Sequence, residues 1–322
     1  DNDFIVNYAN LAALKFLDLT SEELVGKPFS VTNQPKCDEL LRLCMESEEA
    51  LTDDLIEKIE GRKVYFDIVA APKKEQSGAV LVLQDKSSHY RILEMRKDFI
   101  ANASHELKTP ITIIRGFAET LHDNPTLPED TTVEITSKIV RNCLRMTSLI
   151  KDLLTLADIE HLSESRLTVC DLIHLIDNCE QMLHDAHPTA IVNIDIENGK
   201  DFNIIADSQL LELAVINLIE NAAKYSNPPA HITISLRHLG EKVELSVTDK
   251  GIGIPKEDIE NVFHRFYTVD KAHSQKMGGS GLGLSLVETI IDKHLGKIWV
   301  ESEVGKGTTF TMQLPIKRRM IK

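Results

Sequence analysis

The stretch Lys97-Asp-Phe-Ile-Ala-Asn-Ala-Ser-His-Glu-Leu-Lys-Thr-Pro110 decides how the chain is read. Its apolar positions, continued downstream, fall at Ile100, Ala103, Leu107, Pro110, Ile114, Phe117 and Leu121. That three-four spacing predicts a helix with one apolar stripe buried against a partner. At about 100° per residue, His105 stands roughly 200° from both Ala103 and Leu107, so its imidazole points off the stripe into solvent. Glu106 follows it directly, and Thr109 lies one turn further along the same face. Pro110 withholds the N–H that the carbonyl of Glu106 would otherwise accept. An exposed imidazole beside a carboxylate and a local helix distortion presents as a nucleophile offered to a second domain.

Outward from this stretch, the pattern predicts one helix from Ser87 to about Asp123, a loop with Pro125 and Pro128, and a second helix from about Glu129 to Glu160. The second helix repeats the spacing at Ile139, Cys143, Met146, Ile150, Leu153 and Ala157. Two antiparallel amphipathic helices make half a core, so the pair is expected to dimerise into a four-helix bundle. The alternative is a hairpin packed on its own chain.

At 322 residues the chain holds two or three domains rather than one core. No run of roughly 18 apolar residues offers a membrane span. The N-terminus is acidic, without the basic opening of a signal peptide. The cysteines Cys37, Cys44, Cys143, Cys170 and Cys179 are odd in number and include no C-x-x-C. They read as reduced residues of a cytoplasmic protein, not as a disulfide frame or zinc knuckle. A net charge of −14 argues against nucleic acid as the main partner. The one basic cluster, Lys317-Arg-Arg-Met-Ile-Lys322, reads as a solvated tail.

Residues 1–88 are expected to be mixed α/β. Leu11, Leu14 and Leu17 lie on a short helical stretch, and Thr20-Ser-Glu-Glu-Leu-Val-Gly26 reads as a capped turn of helix ending at glycine. Strands follow at Lys63–Ala70 and Gly78–Gln84. The phrase from Asn10 to Lys27 resembles the early part of a PAS domain whose first strand is missing. The chain is therefore expected to begin inside a longer protein, and a membrane anchor upstream of Asp1 is left open. His89, Cys37 and Cys44 lack a haem or flavin context, so a ligand-free PAS relay is expected.

From Arg166 onward helices near Asp171–Ala186, Ser208–Tyr225 and Gly281–His294 alternate with strands near Ile191–Ile196, His231–Leu239, Lys242–Thr248, Lys297–Ser302 and Thr308–Leu314. This order predicts an α+β sandwich, one mixed sheet covered by helices. Four clusters in it carry chemistry. Asn217, Asn221, Lys224 and Tyr225 share adjoining helix faces, so the first three converge on one ligand. An amide oxygen suits Mg²⁺ and an ammonium suits a phosphate, although the set is equally a polar helix face. Asp249-Lys-Gly-Ile-Gly253 follows a strand; Asp249 offers an acceptor to an amino group, while Gly251 and Gly253 allow close backbone approach to a flat ring. Phe263-His-Arg-Phe266 leaves Arg265 to reach an anion, with the two aromatics holding the loop. Gly278-Gly-Ser-Gly-Leu-Gly-Leu284 opens a helix, and its Gly279, Gly281, Leu282 and Gly283 N–H groups suit a polyphosphate. Tyr267 to Met277 reads as a lid. No Walker A and no dinucleotide G-x-G-x-x-G occurs, and His264-Arg-Phe is not the H-R-D of a eukaryotic-type kinase.

Taken in order, His105, Asn217–Tyr225, Asp249–Gly253, Phe263–Phe266 and Gly278–Gly283 resemble the H, N, G1, F and G2 boxes of bacterial sensor histidine kinases. The likeness spans roughly residues 90–315 and is nearest the phosphate-sensor (PhoR-like) and OmpR-partner group. It implies a PAS-like domain at 1–88, a dimerising helical hairpin at 89–162 and a Bergerat-type ATP-binding domain at 163–322. It further implies that His105 takes the γ-phosphoryl of ATP while Glu106 orients and deprotonates its ring. Asn221 holds Mg²⁺, Lys224 and Arg265 neutralise charge, and Asp249 reads the adenine amino group. The phosphoryl group then passes to an Asp of a response regulator docked on the bundle. Thr109 matches a position that holds water for dephosphorylating that regulator, or merely supports the kink at Pro110. Two other classes stay open: a conformational ATPase of the same superfamily, which lacks an exposed His-Glu on a bundle, and a pseudo-kinase scaffold.

Overall fold

A computed structural model describes residues 1–59, 61–73, 78–160, 162–270 and 280–317. They divide into two compact units, Asp1–Ala101 and Asn102–Lys322.

In the first unit α1 (Leu11–Leu17), α2 (Ser21–Leu24) and α3 (Pro35–Ser47) precede an antiparallel sheet of β1 (Leu51–Ile59), β2 (Arg62–Pro72) and β3 (Ala79–Asp85), in the order β1-β2-β3. Local chemistry starts the helices. The Asn10 side chain accepts the Ala13 N–H at 2.8 Å, Glu23 accepts the Thr20 N–H at 2.9 Å, and Pro35 occupies the first turn of α3. Cys37, Leu40, Leu41 and Cys44 fall on one face of α3 and pack on Leu55, Phe66, Ile68 and Ala70 of the sheet. Neither α3 nor β1 is among the elements expected from the sequence. The strand Leu51-Thr-Asp-Asp-Leu-Ile-Glu-Lys-Ile59 is an edge with one buried residue, Leu55, so its charges mask its period.

The first turns of α4 (Ser87–Asp123) are fastened to this sheet. Asp85 accepts the Ser87 N–H at 2.8 Å, and Ser87 Oγ accepts the Tyr65 N–H at 2.9 Å. The Tyr65 hydroxyl donates to Glu94 at 2.8 Å, and its ring stacks on Tyr90 at 4.8 Å.

In the second unit α4 runs on through Pro110 and is followed by α5 (Glu129–Glu160). The two are antiparallel: Lys138 sits over the ring of Phe117, while further along α5 Arg145 meets Glu106 further back on α4. Pro110 of α4 and Ile135, Leu149, Leu156 and Ile159 of α5 are buried. Of the stripe expected on α5 as a dimer seam, Ile139, Met146 and Leu153 are partly buried within the one chain, while Cys143, Ile150 and Ala157 are exposed. Threonine hydroxyls on both helices donate to the carbonyl four residues back: Thr109, Thr112 and Thr120 on α4, and Thr132, Thr136, Thr147 and Thr155 on α5. Among the described residues no helix is long and apolar enough to cross a membrane.

The remainder is mixed α/β. In chain order it holds β4 (Thr168–Asp171), α6 (Leu172–Ala186), β5 (Ile191–Ile196), β6 (Asn203–Ala206), α7 (Ser208–Lys224), β7 (His231–Leu239) and β8 (Lys242–Asp249). After these come α8 (Gly283–Lys293), β9 (Lys297–Glu303) and β10 (Gly307–Pro315). Five strands form one sheet in the order β5-β7-β8-β10-β9, with β5 and β7 parallel and the other pairs antiparallel. Alternate residues Ile232, Ile234, Leu236, Val243, Leu245 and Val247 are buried. Leu211, Leu218 and Ile219 of α7 and Leu286, Val287 and Ile290 of α8 are buried as well, which leaves the sheet one dry face. The sheet strands lie where the alternation predicts. The short pair β4-β6 does not appear in the sequence reading, because four-residue strands carry too little period.

Candidate active site

His105 is exposed on α4, as its angle from the stripe requires. Glu106 beside it pairs with Arg145 of α5 at 2.9 Å, and the guanidinium side chain is only 13% exposed. The Thr109 hydroxyl donates to the carbonyl of His105 at 3.3 Å. This supports the turn in which Pro110 removes a backbone donor.

The nucleotide clusters gather at the edges of α7, β8 and α8. Asn217 donates to the Leu213 carbonyl at 2.8 Å, which turns its amide oxygen toward the start of α8. A Cβ at Gly283 would stand 2.7 Å from that oxygen. Asn221 lies one turn further along α7; its side chain makes no hydrogen bond among the described residues, which leaves an amide oxygen open to a hard cation. Lys224 ends the helix, and Tyr225 is its C-cap. Burial holds the Lys224 ammonium below its usual range; Glu220 opposes that shift and the charge of Arg145 adds to it. The cationic end of α7 therefore feels the side chain that holds Glu106.

At the other end Asp249 is 7% exposed and terminates β8. Its Oδ1 accepts the N–H of Gly251 at 2.7 Å and of Thr308 at 3.2 Å. Burial raises its carboxyl above the usual range, and the two N–H bonds oppose that shift. Gly251 and Gly253 serve a purpose not foreseen from the sequence: a Cβ would strike the carbonyl oxygens of Tyr225 and Glu303, so both are required for backbone to pack on backbone. Phe263 meets Phe310 edge-on at 6.1 Å, and Phe266 donates its N–H to the Gly281 carbonyl at 2.7 Å, so both aromatics do hold the loop. Arg265 is exposed between them. Gly281, at φ +70°, and Gly283 open α8. Leu282 is wholly buried, and its N–H donates to Ser280 Oγ at 3.2 Å. Gly278, Gly279 and the lid positions 271–277 lie outside the described residues.

Asp249, at the end of the central strand β8, thus lies by the C-terminal end of α7 through Gly251 and Tyr225, while Asn217 on the same helix meets the start of α8 at Gly283. Such an arrangement suits a purine nucleotide polyphosphate. Three residues escaped the sequence reading: Arg145, Thr308 and Asp152, whose carboxylate meets Ser280. Only Thr308 carried a signal, the Gly305-x-Gly-Thr turn that closes on Asp249. Among the described residues no cluster of three or more His, Cys, Asp or Glu could hold a metal. A cation here would rest on Asn221 and the phosphates themselves.

The family described as histidine kinase-, DNA gyrase B- and HSP90-like ATPase matches residues 206–318. The His Kinase A (phospho-acceptor) domain matches residues 95–162. Sensor histidine kinase WalK of Bacillus subtilis is 34% identical over 262 residues, covering 79% of this chain and 42% of WalK. Sensor-like histidine kinase SenX3 of Mycolicibacterium smegmatis is 37% identical over 241 residues, covering 74% of this chain and 62% of SenX3. The chain thus spans about half the length of these curated relatives. The crystal structure of histidine kinase ThkA in complex with response regulator protein TrrA matches with a TM-score of 0.55 at 24% identity, over 98% of this chain and 93% of that one, a likeness of fold.

Proposed function

We propose that this chain, a relative of the sensor histidine kinases through its phospho-acceptor and ATPase domains, phosphorylates itself on His105 from Mg-ATP and passes the group to an aspartate of a response regulator. The observation that carries this reading is an exposed His105 with a Glu106–Arg145 pair beside it, in the same unit as the Asp249–Lys224 nucleotide edge. Asp249 receives the adenine amino group. Lys224 and Arg265 draw the triphosphate, and the N–H groups around Gly279, Gly281, Leu282 and Gly283 cradle it. Asn221 would hold a Mg²⁺ ion, which would supply charge neutralisation on the phosphates. The ring nitrogen of His105 forms a bond to the γ-phosphorus as the bond to the bridging oxygen breaks and ADP leaves, while Glu106 accepts the proton from the other nitrogen. For that, Glu106 exchanges its bond to Arg145 for one to the ring.

The domain limits proposed are 1–88, 89–162 and 163–322. The first has helices α1 to α3 ahead of an antiparallel sheet, which supports its reading as a PAS-like input domain. The hairpin pairs with a second copy, and Val140 and Leu144, 57% and 66% exposed on α5, support this. Thr109 positions water for hydrolysis of the regulator's acyl phosphate. A conformational ATPase would need no phospho-acceptor domain, and the match over residues 95–162 favours the kinase. The test is incubation with γ-labelled ATP. Label that is acid-labile, alkali-stable and absent from His105→Gln is expected; undiminished label in that variant overturns the assignment.

A further inference from the structure

The turn that opens α8 is tied on three sides. Gly281 accepts the Phe266 N–H at 2.7 Å, and Gly283 lies against Asn217, both within the α/β half. The third tie comes from the hairpin: Ser280 donates its hydroxyl to Asp152 Oδ2 of α5 at 2.9 Å. Ser280 Oγ in turn receives the Leu282 N–H. Asp152 is half-buried, and burial raises its carboxyl above the usual range, with the Ser280 hydroxyl opposing. A desolvated carboxylate therefore stands at the turn whose backbone donors and helix dipole suit an anion. One of those donors, the Leu282 N–H, is engaged in the same chain of bonds. Asp152 and a polyphosphate compete for one place, since like charges at close range in a half-buried setting repel.

We propose that Asp152 is a nucleotide-released latch: through Ser280 it holds the α/β half on α5, and a triphosphate bound at the turn displaces it. The proposal rests on the nucleotide reading given above and adds its regulation. The released half is the one that must deliver the γ-phosphoryl group to His105. Coupling of this kind is reciprocal, so a latch that nucleotide weakens must itself weaken nucleotide binding by the same factor. The charge and the hydrogen bond are separable, because Asp152→Asn keeps an acceptor for Ser280 and removes the repulsion.

The experiment titrates a fluorescent ATP analogue with Mg²⁺, and separately adenosine, into the intact chain and into Asp152→Asn and Ser280→Ala. Hydrogen exchange of α5 around Leu149–Leu156 is followed alongside. Expected are ATP-analogue affinity roughly fivefold or more higher in Asp152→Asn, unchanged adenosine affinity, and exchange around Leu149–Leu156 that nucleotide accelerates in the wild type but not in Asp152→Asn. Ser280→Ala should show that accelerated exchange before nucleotide is added. Equal ATP affinity in the two proteins, weaker affinity in Asp152→Asn, or a matching gain for adenosine overturns the latch. The readouts are binding and exchange, so a chain that binds nucleotide but fails to label His105 defeats the kinase reading and leaves the latch standing. A wild type that binds no nucleotide overturns both.

Discussion

Asp249 is a buried carboxylate whose folded pKa lies above its ordinary value, chiefly through burial. Its contribution to stability is complete below the unfolded pKa and is lost as pH rises through the folded one, so at neutral pH its charge is a cost to the fold. Asp249→Asn is expected to match or exceed the wild-type melting temperature at pH 7, with the difference closing toward pH 4. It should also lose tenfold or more of its ATP affinity, as a buried charge-assisted hydrogen bond of about 1.5–3 kcal/mol implies. Melting curves over pH and an ATP titration check both; a variant less stable at pH 7 than at pH 4, relative to wild type, refutes the argument. Thr109→Ala separates two roles. If the hydroxyl holds water, labelling of His105 persists while dephosphorylation of the regulator falls by roughly the 10²–10⁴ of a positioned acid–base group. If its 3.3 Å bond to the His105 carbonyl is all it supplies, both rates fall together. At this scale the exposure of His105 was legible, because helix angle alone fixes it. Arg145, Asp152 and Thr308 were not, because their partners lie 39, 128 and 59 residues away and no local spacing brings them together.

The two long helices were legible nearly to their ends, Ser87–Asp123 and Glu129–Glu160, since Pro125 and Pro128 mark the break. The face of α5 that is buried within a single chain was not. That helix carries two apolar stripes, one through Ile135, Leu149 and Leu156 facing inward, the other through Val140, Leu144 and Leu154 facing out. The stripe expected from sequence, through Ile139, Cys143, Met146 and Ile150, lies between the two and is partly buried at Ile139 and Met146. The outward stripe makes a distinction testable. Val140→Glu with Leu144→Glu should give monomers by light scattering with helix content retained, because burying those charges in a dimer seam costs several kcal/mol while a single hairpin is indifferent to them. Leu149→Ala should instead lower hairpin stability by about 2–5 kcal/mol. A dimer that survives the double substitution means that the outward stripe is not the seam.

For the molecule as a whole, each unit has its own core, and the nucleotide-binding groups proposed above lie in the second. ATP that binds the folded state alone stabilises it by about 2.7 kcal/mol at a hundredfold excess over Kd. Calorimetry should therefore show a transition that Mg-ATP raises by roughly 5–10 °C and another, from Asp1–Ala101, that it leaves in place. A common shift of both would contradict independent cores. Most of the architecture of the second unit followed from period, 3.6 in the hairpin and 2 in the five-stranded sheet, while the short pair β4-β6 did not. The first unit was half legible: the apolar face of α3 at Cys37, Leu40, Leu41 and Cys44 was present but unclaimed, and β1 hid behind its acids.

The threonines of the hairpin carry a mechanical consequence. A hydroxyl that shares the carbonyl four residues back weakens the local backbone bond and bends the helix slightly. Repeated along α4 and α5, such shared carbonyls make both rods compliant. They yield by small increments along their length instead of snapping at one hinge. A hairpin built this way stores little elastic energy when bent. In the mechanism proposed above, turning His105 or parting Asp152 from Ser280 then costs little in deformation of the helices themselves.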